Sequence, residues 1–268
     1  MTRGVGDRAG GVGHAPDDDN DGPGMAEKKA HSFWEMIKTV VIAVGIALVV
    51  RTFLFEPFSI PSGSMLPTLL VGDYLFVSKY AYGYSRYSLP FGLPLIPGRV
   101  LAKPPERGDV VVFKLPADNS TDYIKRVIGL PGDRVQIKQG VLHINDEPVR
   151  REPAGDIVLP GASGLNQRYH RYIETLPNGV SHTIIEISDT GPFDNTGVYV
   201  VPEGHFFALG DNRDSSRDSR FLGEVGYIPY ENLVGHAKVI FFSVDGNPLY
   251  FWNWFKSLRP ERILDAIH

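Results

Sequence analysis

Two serines and a lysine carry the strongest chemical signal in the chain. Ser62 and Ser64 stand two apart in Pro61-Ser62-Gly63-Ser64-Met65-Leu66-Pro67-Thr68. The prolines fix φ and remove backbone donors, which keeps this stretch out of helix interiors and central strands. In an extended segment, positions i and i+2 face the same way, so both hydroxyls are expected to look into one cleft. A serine hydroxyl is a weak nucleophile and needs a base. Lys125 lies in the apolar run Tyr123-Ile124-Lys125-Arg126-Val127-Ile128-Gly129, beside a second cation. Burial there penalises the charged amine and lowers its proton affinity. From an ordinary pKa of about 10.4, a drop of about two to three units yields a competent base. The bland accounts of the same residues are a Ser/Gly/Pro loop and a lysine snorkelling from a strand edge.

Other chemistries find less support. The chain has no cysteine, which excludes disulfides, thiolate zinc sites and cysteine nucleophiles. No Gly-x-Ser-x-Gly elbow or Ser-x-x-Lys pair occurs. His205 and His236 stand as weaker candidates for the base. The net charge of −4 gives no nucleic-acid footprint. Asp17-Asp18-Asp19-Asn20-Asp21-Gly22 opens like a calcium loop, but its twelfth position is Lys28, so neither metal nor cofactor is expected. The run Gly210 to Arg220 packs three acids, three arginines and three serines into eleven residues. It reads either as a solvated, self-paired loop or as a scaffold of Asp–Arg pairs holding a hydroxyl in place.

These residues need a frame, and the composition points to β-structure. Hydrophobic residues make up 43 % of the 268, with 29 Gly and 21 Pro. Residues 1–32 read as a disordered tail and 33–56 as a membrane anchor. The apolar stretch Thr39–Phe55 counts 17 residues, about 25 Å as a helix, at the short limit for a bilayer core of about 30 Å. Arg51 snorkels at one end, and Phe33 and Trp34 mark the other interface. Lys28, Lys29 and Lys38 put the N-terminus in the cytoplasm and all after Phe58 outside. Gly72-Asp73, Gly108-Asp109 and Gly132-Asp133 are turn signals, each before a β-rich run. The Arg107-Gly108-Asp109 tripeptide is thus read as a turn rather than an adhesion motif. Residues 80–105 look like a long loop. Residues 57–138 and 200–248 form one core, and 139–199 an inserted β subdomain. The aromatic stretch Leu249–Phe255, within the C-terminal segment 249–268, suits either a core or a headgroup layer.

In order and spacing, Ile60–Thr68, Arg107–Phe113, Tyr123–Asp133 and Gly210–Arg220 resemble the bacterial type I signal peptidases, the membrane-bound leader peptidases. The resemblance covers most of residues 33–245. It implies a mainly β fold of two antiparallel sheet regions, with a LexA-like core and an inserted β subdomain, after one transmembrane helix. It implies Ser64 as nucleophile, Lys125 as general base, and an oxyanion hole of the Ser64 N–H and the Ser62 hydroxyl. Ser216 would orient the amine, with Asp218 and Arg220 bracing the loop. Phe58, Ile60, Met65, Tyr123 and Ile124 would line shallow pockets for small residues at −1 and −3. The implied partners are signal-peptide-bearing preproteins and the lipid bilayer, with no nucleic acid. The implied enzyme is a single-pass monomer of the bacterial inner membrane, its catalytic part periplasmic. The competing reading is a non-catalytic, membrane-tethered β module that binds exported chains. A self-cleaving repressor protease would need a helix-turn-helix, which residues 1–32 do not supply.

Overall fold

The computed structural model describes residues 24–89, 92–160, 165–246 and 257–268. The acidic run Asp17–Gly22, most of the expected N-terminal tail and the aromatic stretch Leu249–Phe255 lie outside them. The chain divides into two compact units, residues 1–46 and 47–268. Helix α1 spans Gly24–Phe53. It therefore begins inside the segment expected as tail, where Met25-Ala26-Glu27-Lys28-Lys29-Ala30 are mostly good helix formers. Its apolar stretch, Phe33–Phe53, counts 21 residues, about 31 Å at ~1.5 Å per residue, enough to cross a bilayer core. Every side chain from Lys38 to Arg51 is exposed. The helix stops at Phe53, short of the expected Phe55. Pro57 disfavours helical φ/ψ at Glu56, so the chain turns extended there.

The strands are β1 (Phe55–Ser59), β2 (Asp73–Ser78), β3 (Tyr84–Ser85), β4 (Arg99–Val100), β5 (Val110–Lys114), β6 (Asp122–Gly129), β7 (Arg134–Lys138) and β8 (Val141–Ile144). They continue as β9 (Glu147–Pro148), β10 (Arg150–Pro160), β11 (Asn166–Thr175), β12 (Ser181–Glu186), β13 (Tyr199–Val200), β14 (His205–Leu209), β15 (Ile228–Pro229) and β16 (Leu233–Ser243). The main sheet runs β1-β2-β16-β5-β6-β14-β15, with antiparallel neighbours throughout. A four-stranded sheet orders β13-β7-β8-β9, and a three-stranded one β10-β11-β12. The protein is thus mainly β and antiparallel. The four-stranded sheet starts with β7, before residue 139. The 80–105 excursion is shaped by the β3–β4 pair and by Arg99, which donates to the carbonyls of Gly83 (2.8 Å) and Tyr230 (3.1 Å).

Three Gly-Asp turns launch β2, β5 and β7 in the same way. Gly72, Gly108 and Gly132 have φ of 90°, 98° and 86°, which L-residues avoid. The aspartate that follows each accepts from the N–H three residues back: Leu70 to Asp73 (2.8 Å), Glu106 to Asp109 (2.9 Å) and Leu130 to Asp133 (2.7 Å). The carboxylates then reach outward, Asp73 to Arg262 (2.6 Å), Asp133 to Arg107 (2.8 Å), and Asp109 to the Tyr82 hydroxyl (2.6 Å). The tripeptide at 107–109 is a turn.

Behind the Ser64 segment, Ile60, Met65, Leu69, Leu75, Val110, Val112 and Ile240 form one apolar cluster. The 139–199 segment, which showed no chemistry in its sequence, is tied to the Gly210 loop. Ile185 N–H donates to the Asp211 carbonyl (2.9 Å), and Arg213 forks onto Glu174 of β11 with both residues buried. Burial raises the Glu174 pKa, but Arg213 outweighs it and holds the carboxyl down to about 2. Glu174→Gln strands the Arg213 charge in the interior and is expected to cost about 3–5 kcal/mol. Urea denaturation measures it, and a cost below about 1 kcal/mol would mean that the pair does not hold the loop.

Candidate active site

Ser64 lies on a one-turn 3-10 helix, Gly63–Met65, rather than on an extended strand. Ser62 precedes it in extended conformation (φ −131°, ψ 153°), and its side chain makes no cap bond. Ser64 therefore departs at the turn from the extended i, i+2 geometry, yet both serines line the same cleft. The segment is stapled at its base: Gly72 N–H donates to the Ile60 carbonyl (3.0 Å), and Ile60 N–H to that of Asp73 (2.9 Å).

From β6, Lys125 places Nζ 2.7 Å from Ser64 Oγ and donates to the Ile124 carbonyl (2.8 Å). The lysine is only 3 % exposed. Burial pulls its pKa from 10.5 down to about 8, against the opposing pull of Asp218 and then Asp211, with Arg220 acting in the same direction as burial. When charged, the ammonium donates to Oγ. When neutral, its lone pair can accept a hydrogen bond from that hydroxyl.

The Gly210 loop holds this pair from below. Asn212 fixes both peptides that flank Ser64: its Nδ2 donates to the Gly63 carbonyl (3.0 Å), and its backbone N–H to that of Ser64 (3.1 Å). A trans peptide is planar, with C=O and N–H opposed, so holding the Gly63 carbonyl points the Ser64 N–H away from Asn212. Asp218 and Arg220 form a buried pair (2.8 Å), and Asp218 also accepts from Gly210 N–H (3.1 Å). Ser216 Oγ is buried, near enough to Asp218 to help lower its pKa but outside hydrogen-bond geometry. It makes no bond to Lys125 in this structure. Arg126, on the opposite face of β6, forks onto Asp211 (2.9 and 2.8 Å), which also takes the Thr68 hydroxyl (2.6 Å).

A cleft of about 1040 Å³ runs past Ser64. Phe58, Ile60, Tyr123 and Ile124 line it as expected, but Met65 does not. Met65 is fully buried in the cluster behind the turn, because the 3-10 geometry rotates it inward. Leu66 and Tyr169 line the cleft instead, the latter from β11. His205 and His236 are absent from its walls. His205 Nδ1 contacts the Glu203 carbonyl, and His236 stacks on Tyr82. Sequence reading assigned no role to Asn212, Tyr169 or the Arg126–Asp211 pair. An arginine within a Val/Ile strand was the available signal, because a buried guanidinium needs a carboxylate. Among the described residues, no group of three or more His, Asp or Glu could hold a metal.

This architecture suits a peptidase that works from a membrane tether on extended chains. The model of the family described as "Signal peptidase, peptidase S26" matches residues 33–242. The signal peptidase I of Rickettsia typhi is 43 % identical, over 83 % of this chain and 89 % of its own. That of Rickettsia prowazekii is 42 % identical with the same coverage. A crystal structure of a signal peptidase I from Enterococcus faecalis aligns with 25 % identity and a TM-score of 0.28, covering 50 % of this chain and 97 % of its own. The chain belongs to the signal peptidase family, peptidase S26. It is a membrane-anchored serine endopeptidase of the signal peptidase I kind, which removes signal peptides. The tethered binding module is not favoured.

The folded pKa of Lys125 lies below its unfolded one, so its cost is full below about pH 8 and gone above 10.5. That cost is on the order of 3 kcal/mol. Lys125→Met is therefore expected to raise the urea midpoint at pH 7 and lose the gain as pH rises across that window. A gain that did not change with pH would contradict it. A Cβ on Gly210 would stand 2.2 Å from Ser216 Oγ and 2.5 Å from the Ser64 carbonyl. Gly210→Ala is expected to cost activity about tenfold or more by displacing Ser64; unchanged kcat/KM would show that the contact is slack.

Proposed function

We propose that Ser64 attacks the scissile carbonyl with Lys125 as general base. The observation that carries this reading is the 2.7 Å contact between Ser64 Oγ and an amine that is 3 % exposed. The neutral amine takes the hydroxyl proton as Oγ bonds to carbon. The resulting oxyanion accepts from the Ser64 N–H and the Ser62 hydroxyl, which has no capping duty. Lys125, now charged, passes its proton to the leaving amine. The neutral amine then activates water against the acyl-serine. Asn212 keeps the Ser64 N–H aimed, and Asp218 and Arg220 brace the loop. Ser216, without a hydrogen-bond partner in the free enzyme, steadies the lysine during the cycle.

The substrate lies extended between two strand edges. One is β1 and the Ser59–Ser62 segment; among the described residues β1 pairs with β2 alone. The other is the Asp122–Lys125 half of β6, which β14 leaves uncovered beyond Arg126. Phe58, Ile60, Tyr123 and Ile124 make shallow pockets that suit small residues at −1 and −3. The lysines before α1 support a cytoplasmic N-terminus and an extracytoplasmic catalytic part. All proposed catalytic groups come from one chain, in keeping with a monomer.

On a preprotein with an Ala-x-Ala site, kcat/KM is expected to rise with pH through about 8 and then level, as Lys125 deprotonates. Ser64→Ala and Lys125→Ala are expected to abolish cleavage in folded protein. Near wild-type cleavage by either variant would sink the assignment. Asn212→Asp replaces the donor to the Gly63 carbonyl with an acceptor. It is expected to lower kcat on the order of 10²-fold with KM and the pH midpoint unchanged; a raised KM alone would make Asn212 a binding residue instead.

A further inference from the structure

A second cleft of about 500 Å³ shares Phe58 and Asp122 with the Ser64 cleft but is chemically its opposite. Four cations line it, Arg51, Lys79, Arg86 and Lys114, against two carboxylates, Glu56 and Asp122. Three of the cations are paired. Glu56 takes Arg51 and Lys79, both at 2.7 Å, and Asp122 takes Lys114 at 2.9 Å. Arg86 has no carboxylate within ion-pair distance among the described residues. Its guanidinium lies over the Tyr87 ring and donates to that residue's hydroxyl, while its buried Nε has no acceptor. A donor-rich cleft with an unmatched guanidinium calls for an anion with several acceptor oxygens, and the Arg fork fits phosphate geometry.

Position selects the source of that anion. Arg51 and Thr52 of this cleft belong to the last turns of the apolar stretch that ends at Phe53. Beside them Phe53, Leu54 and Phe55 are 48 %, 45 % and 36 % exposed. The cleft therefore lies where the chain leaves the membrane, at the level of lipid phosphates. We propose that it binds the headgroup phosphate of an anionic phospholipid, with Arg86 as its principal ligand and Arg51 and Lys114 beside it. A lipid seated there sets the height of the adjoining Ser64 cleft against the bilayer through Phe58, the wall they share. The site does not depend on the catalytic roles assigned above.

The test uses the full chain in an uncharged maltoside detergent, titrated with short-chain dihexanoyl phosphatidylglycerol and followed by ³¹P NMR. Wild type is expected to bind saturably. Arg86→Gln and, separately, Arg51→Gln are each expected to weaken binding about tenfold, the scale of one charge-assisted contact. Both should cleave a soluble peptide at the wild-type rate. Partition of lipid into the micelle is common to all three proteins and cancels. Arg51 has a largely exposed side chain, so its variant tests the proposal even if Arg86→Gln misfolds. Inorganic phosphate and dihexanoyl phosphatidylcholine are the comparison arms, both expected to bind more weakly. If inorganic phosphate displaces phosphatidylglycerol at equal concentration, the ligand is free phosphate and the lipid assignment is wrong. Non-saturable binding to wild type, or unchanged affinity in both folded variants, overturns the site altogether.

Discussion

The structure depends on keeping one lysine out of water. An amine at its ordinary pKa carries a proton in all but about one molecule in a thousand near neutral pH and can accept none from serine. Burying Lys125 brings its pKa to about 8, which leaves a useful neutral fraction at physiological pH. Burial is an expensive device, because every nearby carboxylate works against it by favouring the ammonium. Asp218 and Asp211 do act in that sense. Each is already committed to an arginine, Asp218 to Arg220 and Asp211 to Arg126. The Asp–Arg pairs thus do more than fix a loop. They let carboxylates serve as backbone and side-chain acceptors close to the lysine, with Arg220 offsetting part of their pull.

The remaining architecture supplies walls around this centre. β6 brings the lysine and its neighbouring arginine to opposite faces of one strand. The stapled Ile60–Asp73 segment brings the serine, and the Gly210 loop joins the two, through Asn212 to the serine segment and through Asp211 to Arg126 of β6. The 139–199 segment is coupled to the same loop by Glu174–Arg213 and by the Ile185–Asp211 backbone bond. The C-terminal residues also close on the site's support. Arg262 binds Asp73 and the Thr68 carbonyl, and the His268 carbonyl accepts from Arg126.

Much of this was legible in the sequence where a residue type has one physical use. Gly-Asp before a β run specified three turns, because glycine takes a φ near 90° without strain and the aspartate can accept from the N–H behind it. A lysine in an apolar run pointed to a buried amine, and the structure places that amine beside Ser64 Oγ. What could not be read was conformation at single residues and contact across long separations. The one-turn helix at Gly63–Met65 removed the expected strand geometry and sent Met65 into the core. The helix outran the expected anchor at its N-terminal end, starting at Gly24, and stopped short of it at Phe53, ahead of Pro57. Asn212 and Tyr169 reach the site through tertiary placement, and no local pattern marks an asparagine as the clamp on a peptide 149 residues away.

The central claim is that Lys125 is neutral enough to act as a base because it is buried. The most direct measurement is the titration of its own side chain, by NMR of the labelled lysine amine in a Ser64→Ala variant held in detergent, so that no turnover intervenes. The account predicts a midpoint near 8. A midpoint at or above about 10, the range of a solvated lysine, would contradict it and leave Ser64 without its base.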